Sequence, residues 1–488
     1  MKTSLKAAVL LIVVALVAMG GVLTFRVGPV PALTLKPDAP GLGRRTPVRV
    51  AAAADGRGLA RVRLEVVQGD RVHVVADKSY APRPAWAFWG PRTERAELRA
   101  EAGADNVPGL KAGDVVLRVV AERAGTWLLH PAPVVQELKL TVRLSPPTLA
   151  VVSSQHYVAQ GGAEVAVYRV GPTSVRDGVR VGDWFFPGYA LPGGGAQDRF
   201  AFFAVPYDMP DGTKARLEAE DEVGNLIELP VVDKFFPKPF ARDRITLEEA
   251  FMSRVVPEIR AATPDLSDRG SLLENFLAIN REVRAQNAKV LADLAGRSQP
   301  RFLWKETFLA MPSGKVMSSF ADRRTYVYQG KEVDQQFHLG FDLASVQNAP
   351  VPAANAGVVA LARYFGIYGN TVVVDHGYGL MSLYAHLSTA SVTPGQEVAR
   401  GETLGQTGAT GLAGGDHLHF TMLLQGLAVS PNEWWDAHWI EDRLVRKLGA
   451  ALAFTPPAGE SGKRPKASGK KAGAPKKAPP KKAKPKRR

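Results

Sequence analysis

The stretch Gly415-Asp416-His417-Leu418-His419-Phe420-Thr421-Met422 (GDHLHFTM, residues 415–422) places two of the nine histidines of a 488-residue chain one residue apart. Read as a strand, its period of two sends Leu418, Phe420 and Met422 to one face. His417, His419 and Thr421 take the other. FHLGFDL (337–343) has the same design: Phe337, Leu339, Phe341 and Leu343 alternate with His338, Gly340 and Asp342, and Gly340 leaves room between the two polar groups. In LMSLYAHLS (380–388), Met381, Leu383, Ala385 and Leu387 share a face, and Ser382, Tyr384 and His386 share the opposite one. Three strands of this kind predict a β-fold over 308–440 in which four histidines and a carboxylate converge. His338, His376, His386, His417, His419 and His438, six of the nine, fall in that region.

The chain has no cysteine, which excludes disulfides and thiolate metal sites. A metal site here must use His, Asp or Glu. Imidazole and carboxylate suit divalent zinc. A catalytic zinc keeps one position for a water whose pKa falls to about 7, so hydroxide is available at neutral pH. Three ligands would leave two histidines for proton transfer and oxyanion stabilisation, the set that amide hydrolysis needs. His73, His130, His156, His376 and His438 lack such company and are read as surface or satisfied core residues. Gly405, Gly408, Gly411, Gly414 and Gly415 form a low-profile loop leading to the histidine strand, which lets backbone approach an extended peptide.

Upstream the pattern changes. LARVRLEV (59–66) sets Ala60, Val62, Leu64 and Val66 against Arg61, Arg63 and Glu65, and KARLEAEDEVGN (214–225) does the same with Ala215, Leu217 and Ala219. Short strands with Gly, Pro and Asp turns, broken by SPP at 145–147, predict two β-sandwich modules, 29–145 and 146–240, similar to bacterial immunoglobulin-like spacers. Residues 241–300 read as a helical linker. TLEE (246–249) and SLLE (271–274) fit capping boxes with Thr246 and Ser271 as N-caps, and Leu272, Phe276, Ile279, Val283, Val290 and Leu294 recur at helical spacing.

The two ends carry different signals. Lys2 and Lys6 precede nineteen uncharged residues, 7–25, which as a helix would span roughly 28 Å at about 1.5 Å per residue. Residues 1–28 are read as a signal anchor in preference to a cleaved signal peptide, with the basic residues inside and the body exported. Residues 456–488 hold 13 Lys/Arg and one acid, Glu460. That segment carries +12 of the +15 net charge, and the remaining body is almost neutral. Its Lys/Pro/Ala composition predicts a disordered tail able to contact polyanions. It has no aromatic residue for base stacking, so specific nucleic-acid binding is not expected.

FHLGFDLA, GNTVVVDHGYGLMSLYAHLS, GQEVARGETLGQTGATG and DHLHF, in this order, closely resemble the lysostaphin/LytM-type zinc metallopeptidases over about residues 310–435. The resemblance implies a compact antiparallel β-fold with a groove, acting on bacterial peptidoglycan. Carried over by position, His338, Asp342 and His419 match the ligands of one Zn2+, and His417 and His386 match two catalytic histidines. Asn370 and Tyr384 are expected to line the substrate groove. Gly415-Asp416 depart from the residues often found before the HLHF strand.

The chain therefore reads as a mostly β, multidomain protein. It has an N-terminal transmembrane helix, two sandwiches, a helical segment and a C-terminal peptidase domain. Its expected activity is zinc-dependent hydrolysis of peptidoglycan cross-links, with a direct D-amino-acid bridge preferred over a glycine bridge. The expected location is the inner membrane, single-pass, with the body in the periplasm. The alternative is a non-catalytic peptidoglycan binder that activates another wall hydrolase.

Overall fold

The computed structural model describes residues 2–457, so the basic tail assigned to 456–488 lies almost wholly outside the described residues. Lys2–Phe25 is one helix. Its segment Leu5–Phe25 is long and apolar enough to cross a membrane, and none of it is buried against the rest of the protein.

Residues 32–142 form two antiparallel sheets. One has the order Ala32–Pro37, Thr46–Ala53, Arg95–Ala102; the other runs Arg71–Ser79, Leu59–Gln68, Gly113–Arg123, Val134–Val142. The alternation explains the packing. Val48, Val50 and Ala52 from the first sheet meet Val62, Leu64, Val66, Leu117 and Val119 from the second in one core. Ala60 stays partly exposed.

The next unit also has two antiparallel sheets, centred on Ala163–Val170 with Asp198–Ala204 and on Ser174–Val181 with Arg216–Asp221. Ala215, Leu217 and Ala219 are buried in it, as their alternation predicts. Its core is not its own, however. Phe200 stacks on Phe302 at 5.7 Å and meets Tyr378 edge-on at 4.9 Å, and Phe202 meets Trp434 at 6.4 Å. Lys447 Nζ lies 2.5 Å from Glu164 Oε1, both side chains almost fully buried. A spacer would have a separate core; this unit shares one with the C-terminal domain.

The segment 241–300 is also more than a linker. Arg242–Thr246 is a strand, paired in parallel with Asp322–Tyr328. Thr246 therefore ends a strand and caps nothing. The helix Glu249–Ala261 starts after Glu248, which makes no side-chain cap. Ser271 does cap as expected: its Oγ accepts from Glu274 N at 3.1 Å. From Leu272 the chain is helical to Ala295, with a π turn at Ile279–Val283. Phe276, Ile279 and Val283 pack with Met252, Val255 and Ile259 onto Tyr326 and Ile367 of the C-terminal domain.

That domain holds a large antiparallel sheet of order Lys315–Ser318, Phe341–Ala344, Leu418–Leu424, Leu380–Leu387, Asn370–Gly377, Gly357–Tyr364, Glu397–Val398, with Leu427–Val429 added beside Leu418–Leu424. A separate sheet of Arg242–Thr246, Asp322–Tyr328 and Lys331–His338 stands beside it.

Candidate metal centre

Three neighbouring strands set the register of the site. Asp342 pairs with His419, and His419 pairs with Ala385. Cross-strand partners share a face, so Asp342 and His419 point the same way, over the small Ala385.

His338 arrives from the other sheet. It ends the Lys331–His338 strand opposite Asp322, and Leu339-Gly340 carry the chain across to Phe341. The crossing is tight. A Cβ at position 340 would lie 2.6 Å from each of His419 Nε2, Phe420 O and Thr421 Oγ1, so only glycine fits.

Three donor atoms meet here. His338 Nε2 is 2.9 Å from Asp342 Oδ1 and 3.0 Å from His419 Nδ1, and His419 Nδ1 is 3.0 Å from Asp342 Oδ1. Hydrogen bonds on the far side of each ring fix where the protons are. His338 Nδ1 faces Ser319 O at 2.9 Å, an atom that only accepts, so this nitrogen carries the hydrogen and Nε2 is bare. Thr421 Oγ1 donates to Leu339 O at 2.8 Å and so accepts from His419 Nε2 at 3.0 Å. That leaves His419 Nδ1 bare as well. Two imidazole lone pairs and a carboxylate oxygen thus converge with no proton between them. Such a set is mutually repulsive unless a cation sits among the three, and the donor types suit zinc. Arg324 Nη2 holds the other carboxylate oxygen, Asp342 Oδ2, at 2.8 Å.

The two remaining histidines flank this group. His417 precedes the strand, bridged to Gly408, with Nε2 3.4 Å from Asp342 Oδ1. Its Nδ1 donates to Gly415 O at 2.8 Å. Asp416 fixes the approach, accepting from Thr407 Oγ1 at 2.6 Å and from Asn348 N at 3.1 Å. His386 has φ +61°, a left-handed conformation rare for a side-chain-bearing residue. Its ring lies 4.9 Å from that of His417 and 5.7 Å from that of His419. Its Nδ1 donates to Thr410 O at 2.8 Å. Both flanking rings therefore present a bare Nε2.

Burial favours the neutral imidazole at His419 and at His386. Burial pushes His419 down to about 4. Burial, and then its histidine neighbours, holds His386 well below the usual imidazole range. For His417 burial is outweighed by Asp342, and the net shift is upward.

The sequence profile of Peptidase family M23 matches residues 336–431, a span that contains all five of these residues. This is a family M23 peptidase domain. The chain is 41% identical over 96 residues to the DD-carboxypeptidase/endopeptidase Mpg of Neisseria meningitidis, covering 20% of this chain and 22% of that protein. It is 35% identical over 116 residues to the peptidoglycan DD-endopeptidase ShyA of Vibrio cholerae, covering 24% and 26%. It is 37% identical over 95 residues to the murein hydrolase activator EnvC of Escherichia coli, covering 20% and 23%. The chain thus spans about a quarter of the length of these relatives. A crystal structure of a peptidase M23 from Pseudomonas aeruginosa aligns with 57% of this chain and 94% of its own at 25% identity, with a TM-score of 0.35.

Tyr384, expected in the groove of the M23 domain, lies elsewhere. Tyr384 is fully buried: its ring packs on Phe420 at 5.4 Å, and its hydroxyl accepts from Ala354 N at 2.6 Å and Ser382 Oγ at 2.8 Å. It pairs with Phe420 and so faces away from His419. Only the turned backbone at His386 separates that histidine from Tyr384's face. Asn370 begins its strand and ties the loops together, with N donating to Thr410 Oγ1 at 2.9 Å and Nδ2 to Ser388 O at 3.4 Å. Among the histidines read as structural, His376 is buried between Ala356 O and Ser382 Oγ, and His156 beside Ser153.

Other groups near the centre come from outside the M23 domain. A cavity of about 360 Å³ over the five residues is lined by Tyr368 of the domain and also by Phe251, Phe276 and Arg284. The helix Glu249–Ala261 pins the glycine loop from outside: Arg254 Nη2 donates to Ala413 O at 2.6 Å, and Glu258 Oε1 accepts from Gly411 N at 3.2 Å. Among the described residues, Arg284 hydrogen-bonds only neutral acceptors, Asn280 O at 3.1 Å and Asn280 Oδ1 at 2.7 Å. Asn280 is in turn fixed by Asp334 at 2.9 Å. No spacing rule in the sequence links these helical residues to a site more than fifty positions away.

Proposed function

We propose that this chain is a zinc-dependent endopeptidase that hydrolyses peptide cross-links of bacterial peptidoglycan, acting from the periplasmic face of the inner membrane. The observation that carries the reading is the convergence of three unprotonated donors, His338 Nε2, Asp342 Oδ1 and His419 Nδ1, at about 3 Å, as hydrogen-bond distances already imply lone-pair crowding. Zinc held by these residues would supply Lewis acidity toward a peptide carbonyl and lower the pKa of a water.

The chain's own groups do the remaining work. His386 and His417, each with Nδ1–H tied to a backbone carbonyl, offer Nε2 as proton acceptors beside the donors. A proton taken from water by either ring can be delivered to the leaving amine. Phe251, Phe276 and Tyr368 provide apolar walls that exclude bulk water. Arg284, whose guanidinium bonds to the neutral Asn280, suits a carboxylate of the stem peptide. A direct D-amino-acid cross-link remains the preferred bond; the names of the Mpg and ShyA relatives support it. Leu5–Phe25 serves as the anchor in this reading, and the two β-units give the reach from bilayer to wall.

A second reading, a regulator of another hydrolase, is supported by the likeness to the activator EnvC. The two are separated by incubating purified sacculi with the zinc-loaded chain and with a chelator-treated sample. Hydrolysis predicts soluble muropeptides with a new amino terminus, lost on chelation and regained with zinc. No release by the chain alone, with release only when an amidase is added, would favour the regulator.

A further inference from the structure

The first β-unit carries an exposed apolar patch that the peptidase chemistry leaves unused. It comes from two loops, APRPAWAFWGPR (81–92) and AGTWLLHP (124–131). Trp86, Phe88, Trp89 and Trp127 are each at least 60% exposed, and Leu128 is exposed beside them. Large aromatic side chains left in water forfeit about 1.5–3 kcal/mol each of burial, so a cluster of four calls for a partner.

The position of the patch says which partner. Both loops are fastened to the end of the apolar helix. Arg57, almost fully buried, donates from Nε to Arg83 O at 2.6 Å, and from Nη1 to Arg26 O at 3.0 Å and Gly125 O at 2.7 Å. One guanidinium therefore joins loop 81–92, the helix end and loop 124–131. Arg26 Nη1 donates to Ala85 O at 3.0 Å and Ala87 O at 2.7 Å, and its guanidinium sits 4.0 Å over the Phe88 ring. Thr126 Oγ1 donates to Thr24 O at 2.7 Å, and Gly28 N to Ala124 O at 3.1 Å. The helix Leu5–Phe25 has 21 residues, which is roughly 32 Å at about 1.5 Å per residue, a full hydrocarbon thickness. Its last residue thus reaches the far interface, and the loops bonded to residues 24–28 sit at headgroup level. Tryptophan prefers that depth, where its ring is shielded and its N–H stays wet.

We infer that the loops 81–92 and 124–131 form a lipid-facing collar, through which the first β-unit rests on the outer surface of the bilayer around its own anchor. The partner is a phospholipid surface, chosen over a protein because the patch continues the helix end. The inference rests on the reading of Leu5–Phe25 as a retained anchor. Its consequence is a fixed attitude of the body to the membrane in place of a swivel at residue 26.

The test uses the full chain in phosphatidylethanolamine/phosphatidylglycerol vesicles that contain lipids brominated either near the headgroup or near the chain end. The apolar helix has no tryptophan, and three of the chain's eight lie in the collar. The collar predicts quenching by the shallow probe, at most about three-eighths of the emission, with less by the deep probe. The loss should vanish in the triple variant Trp86→Ser, Trp89→Ser, Trp127→Ser, whose near-ultraviolet circular dichroism reports that the body is folded. Iodide added in the water phase gives the reciprocal reading: shielding by vesicles in the wild type and none in the variant. Unquenched wild-type emission, or equal quenching in both proteins, overturns the collar. Intact mass of the chain recovered from membranes tests the anchor separately, because a cleaved chain would have lost residues 1–25.

Discussion

His338 Nε2 and His419 Nδ1 face each other at 3.0 Å, and hydrogen bonds behind each ring leave neither nitrogen with a proton. A cation between the two rings would be held by both lone pairs. Thr421 is the residue that sets the His419 tautomer. Thr421→Val removes the acceptor behind Nε2 at nearly constant volume. Zinc affinity, read by chelator competition, should fall by about 10–100-fold while the fold persists. Unchanged affinity would mean that the ring needs no such support.

Glu258 and Arg254 hold the loop that contains Thr410, and Thr410 O orients His386. Glu258→Ala should therefore lower kcat on muropeptides by about 10-fold or more, since misplacing the ring proposed for proton transfer is costly. Zinc content should stay at the wild-type level. Loss of zinc in this variant would place the effect on the ligands instead.

Arg284 is expected to act on substrate binding. Arg284→Ala should raise KM by about 10-fold for a peptide with free carboxylates, the worth of a charge-assisted hydrogen bond. The same peptide with its carboxylates amidated should show no difference between the two proteins. An equal effect on both peptides would contradict a carboxylate contact.

Three buried groups set opposite pH dependences of stability. Burial pushes His376 and His156 down to about 4 from an ordinary 6.5. Both stay neutral in the fold while the unfolded chain protonates, so stability is full above about pH 6.5 and falls as pH drops toward 4. Burial pushes Glu433 the other way, up to about 8 from 4.5. Its contribution is full below about pH 4.5 and is lost as pH rises toward 8. Glu433 Oε2 accepts from Ala163 N at 2.7 Å, a bond that glutamine can keep. Glu433→Gln should therefore stabilise the protein near pH 8, on the order of 1–3 kcal/mol by urea unfolding, with little change near pH 5. A uniform shift at both pH values would contradict the assignment.

How far the sequence reached depended on whether a residue obeyed strand periodicity. Asp342, His419 and Thr421 share a face because their strands are regular, and Gly340 sits where space is needed. His386 shares the site with them despite its strand: alternation groups it with Tyr384, and only its positive φ turns it away. Nothing in a histidine's local sequence encodes that turn, and the same alternation wrongly carried Tyr384 into the groove. Thr246 looked like a cap because four residues matched a box; parallel pairing with Asp322–Tyr328 overrode it. The second β-unit read as a separate spacer because its alternation is complete by itself. The contacts of Phe200 and Phe202 with Phe302, Tyr378 and Trp434 are long-range, and no local pattern shows them.

The proposed hydrolysis depends on three side chains from two sheets holding one cation. Elemental analysis of the purified, zinc-equilibrated chain measures this directly, beside Asp342→Ala and His338→Ala variants checked for fold. The prediction is one zinc per wild-type chain and none retained after dialysis in either variant. Wild-type protein that keeps no zinc, or variants that keep as much as the wild type, would contradict it.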